Sequence, residues 1–361
     1  MKALFDQRQN NIDFVRICLA LLVIFSHSYP LTLGNEQTEP FSLLSKGQVT
    51  GGHIAVDLFF ILSGFLIAAS YERSSSAWSF LRKRVARIYP AFLLVALLTL
   101  VVVLPIAHGT VDGSSIGAKV ANVVGNTLRL QQFRYSGAFP QNPQPGFING
   151  SLWSIEFEFW CYIGVLLLGL IGLLKSRAFL ITVFAGSILV SLFFGYYRWN
   201  ISGSILGEIF GYPPFWARLL PMYMAGVVFY RIRNQIAISR LGVVLSLLAM
   251  VIAFRAPLGY TAIFPIAGTY LAMCFCFSPA IRLHQTNRYG DFSYGTYLYA
   301  FPVQQLVMSV FGHPVPPMML FACAAPLTLL AAVMSWYTVE KRFLQAARKK
   351  TAPTPLALEL S

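Results

Sequence analysis

Hydrophobic residues fall along this chain in long runs rather than in alternation. Apolar stretches of roughly 17 residues or more recur near residues 12–32, 53–70, 88–107, 152–174, 178–197, 215–231, 239–254, 260–277, 291–311 and 317–337. A bilayer-crossing helix takes about 20 apolar residues, so the pattern predicts an all-α fold: a polytopic membrane helical bundle of about ten transmembrane helices. The first run follows the polar stretch 2–13, holds Arg16 and His27, and shows no small-x-small cleavage site. It therefore reads as a retained helix and not as a secretory signal. One connection is long, residues 108–150, rich in Gly, Asn, Gln and Pro. Such a segment either closes over a site or serves as an irregular link. No hydrophilic block of domain size and no internal repeat interrupts the pattern. The expected organisation is one membrane domain over 1–345 and a short cytoplasmic tail over 346–361.

Composition agrees with a bilayer. Of 361 residues, 57% are hydrophobic and 11% charged, against about 25% charged in soluble domains, and the mean hydropathy is +0.64. That excludes a cytosolic enzyme. The net charge of +14 would suggest nucleic acid in a soluble domain, but the basic residues sit mostly in alternate short connections, and no nucleic-acid partner is expected. Nineteen of the 27 basic residues lie on the side of the N-terminus, seven on the other side, and Arg16 within the first run. By the positive-inside rule both termini are expected in the cytoplasm, with an even number of spans. Cys18, Cys161, Cys274, Cys276 and Cys323 all lie in apolar stretches without a CxxC pair and read as small hydrophobes, with no metal site indicated.

Ionisable groups inside spans cost roughly 2.5–3.5 kcal/mol each on insertion scales, which makes each a functional candidate. Arg16 and His27 lie eleven residues apart on nearly one face of the first helix, about 16 Å along its axis. The bland alternatives are an arginine that snorkels to the headgroups and a histidine in an interhelical hydrogen bond. His53 and Asp57 are four apart at the outer start of the second span, and Glu156 and Glu158 open the fourth. With His27, these groups are expected to share the outer half of the membrane, where a carboxylate beside an imidazole suits general-base chemistry. A structural network or a proton relay would use the same residue types. Lys83, Arg84 and Arg87 cluster at the cytoplasmic end of the third span. Arginine pairs bind phosphate bidentately, and the same cluster also suits lipid headgroups.

Together these segments resemble the acyltransferase family 3 membrane proteins, which O-acylate bacterial surface glycans. The family's Arg and His with ten residues between them match Arg16 and His27. Its Gly-Val-Asp-x-Phe-Phe-x-x-Ser-Gly-Phe-Leu-Ile motif, which contains Ser63, matches Ala55 to Ile67 with Ala55 in place of Gly. The basic motif ending Arg-Ile-Tyr-Pro matches Arg84 to Pro90, Ser-Leu-Trp-Ser with its following Glu matches Ser151 to Glu158, and Val-Glu-Lys matches Val339 to Lys341. Two departures stand out: Ala300 occupies a place where many members carry His, and Arg342 replaces a usual Pro. Members often add a soluble esterase-like domain, for which 361 residues leave no room, so the bare membrane module is expected.

The resemblance implies an enzyme of the bacterial cytoplasmic (inner) membrane that moves an acyl group from cytoplasmic acyl-CoA to a glycan hydroxyl. Acetyl-CoA is the expected donor and no cofactor is bound. It implies donor binding by Arg84, Arg87, Lys83 and Arg16, and catalysis by His27 with Glu158 or Asp57 orienting the imidazole. His53, Glu156 and Ser63 are further candidates. The competing reading is a proton-coupled transporter or flippase without covalent chemistry.

Overall fold

The computed structural model describes residues 10–197, 205–281, 283 and 285–349. Lys2, Arg8, Arg198, Arg282, Lys350 and most of the 346–361 tail lie outside the described residues. The chain folds into helices α1 (Ile12–Leu33), α2 (Pro40–Leu44), α3 (Gly51–Glu72), α4 (Ala77–Leu98), α5 (Leu104–Ile106), α6 (Ile116–Leu128), α7 (Ile155–Leu170) and α8 (Arg177–Tyr197). They continue as α9 (Ile205–Phe210), α10 (Pro213–Ile232), α11 (Arg240–Arg255), α12 (Gly259–Cys276), α13 (Ser293–Phe311), α14 (Pro317–Ser335) and α15 (Lys341–Lys349). Two π-helical segments, Thr99–Val103 and Trp336–Glu340, join α4 to α5 and α14 to α15.

Local chemistry sets the helix ends. Thr50 and His53 form a reciprocal capping box at the start of α3, and Ser76, Ser115 and Ser239 cap α4, α6 and α11 through side-chain oxygens, each satisfying an orphan amide. Gly34 ends α1 in the left-handed region at φ 75°, where a residue without Cβ is unstrained. Glu39, fully buried, accepts from the amides of Ser42 and Gly51 and so ties α2 to the start of α3.

Seven helical segments among the described residues are long and apolar enough to cross a membrane: Ile12–Leu33, Gly51–Glu72, Ala77–Ile106, Leu152–Leu170, Arg177–Tyr197, Gly259–Cys276 and Pro317–Ala347. The other three expected spans are helices too, α10, α11 and α13, but they fall short of that standard. α11 is short, at 16 residues. α10 and α13 are enclosed by neighbouring helices, so their polar groups meet protein rather than lipid. Gln304 and Gln305 of α13, for instance, are fully buried and donate to Ile24 O and to Gln144 O.

α3 and α10 form the tightest crossing. A Cβ on Gly64 would lie 2.1 Å from Tyr223 O, and one on Gly226 2.0 Å from Ile61 O, so only glycine lets these backbones touch. Around this pair, α1, α7, α12 and α13 complete the core. On the periphery, Leu189 and Val190 of α8 and Leu245, Leu248, Val251 and Ile252 of α11 are exposed, as a lipid-facing belt requires.

The long connection is neither a bare link nor a featureless cover. It folds around α6 and an antiparallel pair, β1 (Thr110–Val111) with β2 (Tyr135–Ser136), over a small core that includes Ala107, Phe133, Phe139 and Ile148. Asn122 fastens it, donating to Asp112 O and Arg134 O. The two ends of the bundle thus differ. One, called here the basic end, holds the starts of α1 and α4 and the end of α3; the other, the loop end, holds the end of α1, the start of α3 and the 108–150 segment.

Candidate active site

Each end opens into the bundle through its own cavity. The basic-end cavity, of about 790 Å³, is lined by Arg16, Ser63, Lys83, Arg84, Arg87 and Glu158, among others. The loop-end cavity, of about 370 Å³, is lined by His27, His53, Glu36, Phe147, Trp153 and Phe301, among others. Val56 and Tyr297 line both.

At the basic end, charge is arranged around a residue the sequence reading passed over. Asp291, just before α13, accepts from Arg16 and from Arg87 through the same oxygen, each at 2.6 Å, while its other oxygen accepts from the Ser293 hydroxyl at 2.6 Å. Burial alone would raise its carboxyl; the two guanidiniums outweigh that and hold it well below the usual carboxylate range. Arg87 also lies 4.0 Å from Glu340, the acid of the Val-Glu-Lys segment. Arg16 and Arg87 are therefore not open phosphate forks, as expected from sequence, but paired cations held in place. Arg84 differs: its guanidinium lies over the rings of Phe80 and Tyr162, and its Nε is buried without a hydrogen-bond partner.

Glu158 belongs to this cavity as well. One of its oxygens accepts from Ser63 at 2.9 Å and from Tyr162 at 2.6 Å. The expectation that it orients His27 is corrected by these bonds and by its place among the arginines. Glu156 stands about 200° around the helix from Glu158, too far to share a face, and accepts from Gln131 at 2.5 Å. Asp57 is likewise not a partner of His27. It is fully buried and accepts from Arg218 at 3.1 Å and from Tyr260 at 2.9 Å. Arg218 turns into the bundle from α10, donates to His53 O as well, and lies over Trp153.

At the loop end, His27 sits edge-on to Phe301 at 5.3 Å, with Nδ1 buried and without a hydrogen-bond partner. His53 faces the same cavity, its Nδ1 accepting from the Thr50 amide. The predicted cluster of one depth thus divides: His27 and His53 together, Asp57 in a triad with Arg218 and Tyr260, Glu158 with Ser63 and Tyr162. Ala300 is fully buried against Ile24 and Ala325, so the space a histidine would take is closed by apolar packing. All five cysteines are free, and Cys18 is exposed on α1.

Two reactant spaces of opposite character, meeting inside one bundle, suit a transfer between molecules that approach from different ends. The sequence model of the acyltransferase domain family matches residues 9–337. The chain belongs to that family. This acyltransferase is 30% identical to the O-acetyl transferase of Shigella phage Sf6 over 95% of its own length and 98% of the phage protein. A shorter stretch, 23% of the chain and 22% of the relative, is 44% identical to Nodulation protein 10 of Rhizobium leguminosarum bv. viciae. Another, 32% of the chain and 27% of the relative, is 34% identical to Acyltransferase MdmB of Streptomyces mycarofaciens. No solved structure matches the chain. The acyltransferase is thus a multi-helix membrane enzyme whose sequence motifs line its two cavities.

Proposed function

We propose that this acyltransferase is an O-acetyltransferase of the bacterial inner membrane that takes its acyl group from cytoplasmic acyl-CoA and gives it to a glycan hydroxyl on the far side. The reading includes ten spans and both termini in the cytoplasm, with the basic end inward. The observation that carries it is the shared lining of the two cavities at Val56 and Tyr297. It lets a thioester presented from one end meet a hydroxyl presented from the other. Full-length similarity to a protein named O-acetyl transferase supports the acyl group and the ester product.

The donor's phosphates would meet Arg84 and Lys83 first, with Arg16 and Arg87 fixed behind them by Asp291. An arginine fork matches phosphate geometry where a lysine offers a point charge. The loop-end cavity combines aromatic faces, Trp153, Phe147 and Phe301, with the polar groups of Asn35, Glu36 and Gln144, a lining that suits a sugar's apolar and hydroxylated faces. His27 takes the proton of the acceptor hydroxyl as its oxygen bonds to the thioester carbonyl carbon. Collapse of the tetrahedral intermediate breaks the C–S bond, and the departing thiolate takes the proton from the imidazolium, so the proton count closes. The place of His27 in the lining of the loop-end cavity supports this assignment, with its Nδ1 uncommitted to any protein group.

The test is transfer in purified protein. Acetyl-CoA and glycan should yield an O-acetylated glycan by mass spectrometry, with one CoA released per ester. A protein that moves the glycan or protons but forms no ester is the transporter instead. Labelling of Ser136→Cys by an impermeant reagent on intact cells should succeed, because Ser136 is exposed at the loop end. Labelling only after lysis would reverse the donor and acceptor sides.

A further inference from the structure

The larger of the two residues shared by the cavities is a tyrosine. Tyr297 lines both cavities and is 7% exposed. Its hydroxyl is committed twice: it donates to Ser151 O at 2.6 Å and lies 2.8 Å from the Ser154 hydroxyl. A phenol has one proton to give, so with that proton on Ser151 O, Ser154 is the donor of the second bond. Phe59 braces the ring edge-on at 6.0 Å. The other shared residue, Val56, is short and buried on α3. The tether divides in the same place. Within Ser151–Ser154, Trp153 faces the loop-end cavity and Ser154 the basic-end cavity.

We infer that Tyr297 is the partition between the two cavities, and that it makes acyl transfer from the thioester selective for an acceptor hydroxyl over water. A thioester waiting in the bundle has two competing nucleophiles. When a water oxygen bonds to the carbonyl carbon and the C–S bond breaks, the products are the free carboxylate, the CoA thiol and one released proton. A closed partition withholds the loop-end solvent from the thioester until an acceptor fills that cavity. The ring is well suited to this: two hydrogen bonds hold it shut, and their loss would free a side chain that moves about only two torsions. The selectivity half of the inference rests on the acyltransferase reading above; the partition half does not.

Two measurements separate those halves. In a chain whose five native cysteines are replaced, Ser63→Cys places a thiol on the basic-end cavity. An impermeant thiol reagent is applied to sealed vesicles of each orientation. With Tyr297 present, Ser63→Cys should label from one side alone. Tyr297→Ala should add labelling from the opposite side at a rate at least ten-fold higher, and equal rates there would overturn the partition. Ser154→Ala, which removes one tether and keeps the ring, should give a smaller rise, about two- to five-fold, and carries the test if Tyr297→Ala is not monodisperse. The second measurement is CoA release from acetyl-CoA with and without glycan. Tyr297→Ala should raise the ratio of hydrolysis to transfer at least five-fold, whereas a merely structural role would lower both together and leave the ratio unchanged, which would overturn selectivity. If the wild type releases no CoA at all, the acyltransferase reading fails, and the labelling result still decides whether Tyr297 is the partition.

Discussion

The basic-end cavity and the loop-end cavity handle charge in opposite ways. At the basic end, Asp291 clamps Arg16 and Arg87, and Glu158 holds Ser63 and Tyr162; the groups are bound to each other before any ligand arrives. At the loop end, His27 keeps a buried nitrogen without a partner, and Asp57, expected beside it, is bound instead to Arg218 and Tyr260. Holding an anionic donor asks for fixed charge, because desolvated cations must stay compensated when the donor leaves. Proton transfer asks for a group left free to change its state. The contrast teaches that a site's partners are divided by task and not gathered at one depth.

The harshest way to break the contrast is at His27. His27→Ala should lower transfer by at least about 10²-fold while acyl-CoA binding, measured by equilibrium titration, is unchanged. Loss of donor binding in that variant would merge the two cavities into one functional unit. Next comes the clamp. Asp291→Asn leaves the partly buried Arg16 and Arg87 without their shared carboxylate, so the folded protein should lose about 1–3 kcal/mol, between the exposed and the fully buried cases, read as a lower melting temperature, with Asp291→Glu recovering part of it. Arg84→Ala should weaken acyl-CoA binding about ten-fold, roughly 1.4 kcal/mol, and lower the melting temperature less than Asp291→Asn does, since it removes contacts with two rings and no ion pair. An equal melting loss for Arg84→Ala and Asp291→Asn would erase the distinction between binding and holding charges. The smallest effect concerns pH. Asp291 is depressed, so its contribution is present above its unfolded value of about 3.9 and disappears as pH falls through the lower folded value. Without donor, the melting-temperature difference between wild type and Asp291→Asn should accordingly stay flat between about pH 8 and pH 5, and a midpoint inside that window would mean the clamp is not ionised as described.

Much of the fold was legible because hydrophobic runs report helices directly: all ten expected segments are helical, with loose ends. Crossing capacity was less legible for α10 and α13, because a helix wrapped by others needs no apolar face toward lipid, and its glutamines and arginines depress the hydropathy that a sequence reading relies on. For the site, Arg16, His27, Lys83, Arg84, Arg87 and Glu158 do face cavities. Their grouping was not legible. Spacing fixes which residues share a helix face but not which helix stands opposite, so Asp57 was paired with His27 when its real partners come from α10 and α12. Asp291 escaped notice although its signal was present: an acid at a strongly basic end, immediately ahead of the Ser-Tyr-Gly-Thr-Tyr-Leu segment. Tyr297 gave no such signal, since one tyrosine among the 17 of the chain acquires meaning only from the cavities on either side of it.

The clamp also sets a timetable for biosynthesis. Arg16 emerges from the ribosome 275 residues before Asp291. At about 5–20 residues per second that delay is roughly 15–55 s. For that interval the first helix sits in or beside the membrane with its cation uncompensated, at a cost of roughly 2.5–3.5 kcal/mol if it enters the core. The nascent chain must therefore keep α1 shallow, or sheltered by the insertion machinery, until α13 arrives. Chains that stop before α13 would retain the early spans and lack the carboxylate that joins Arg16 to Arg87.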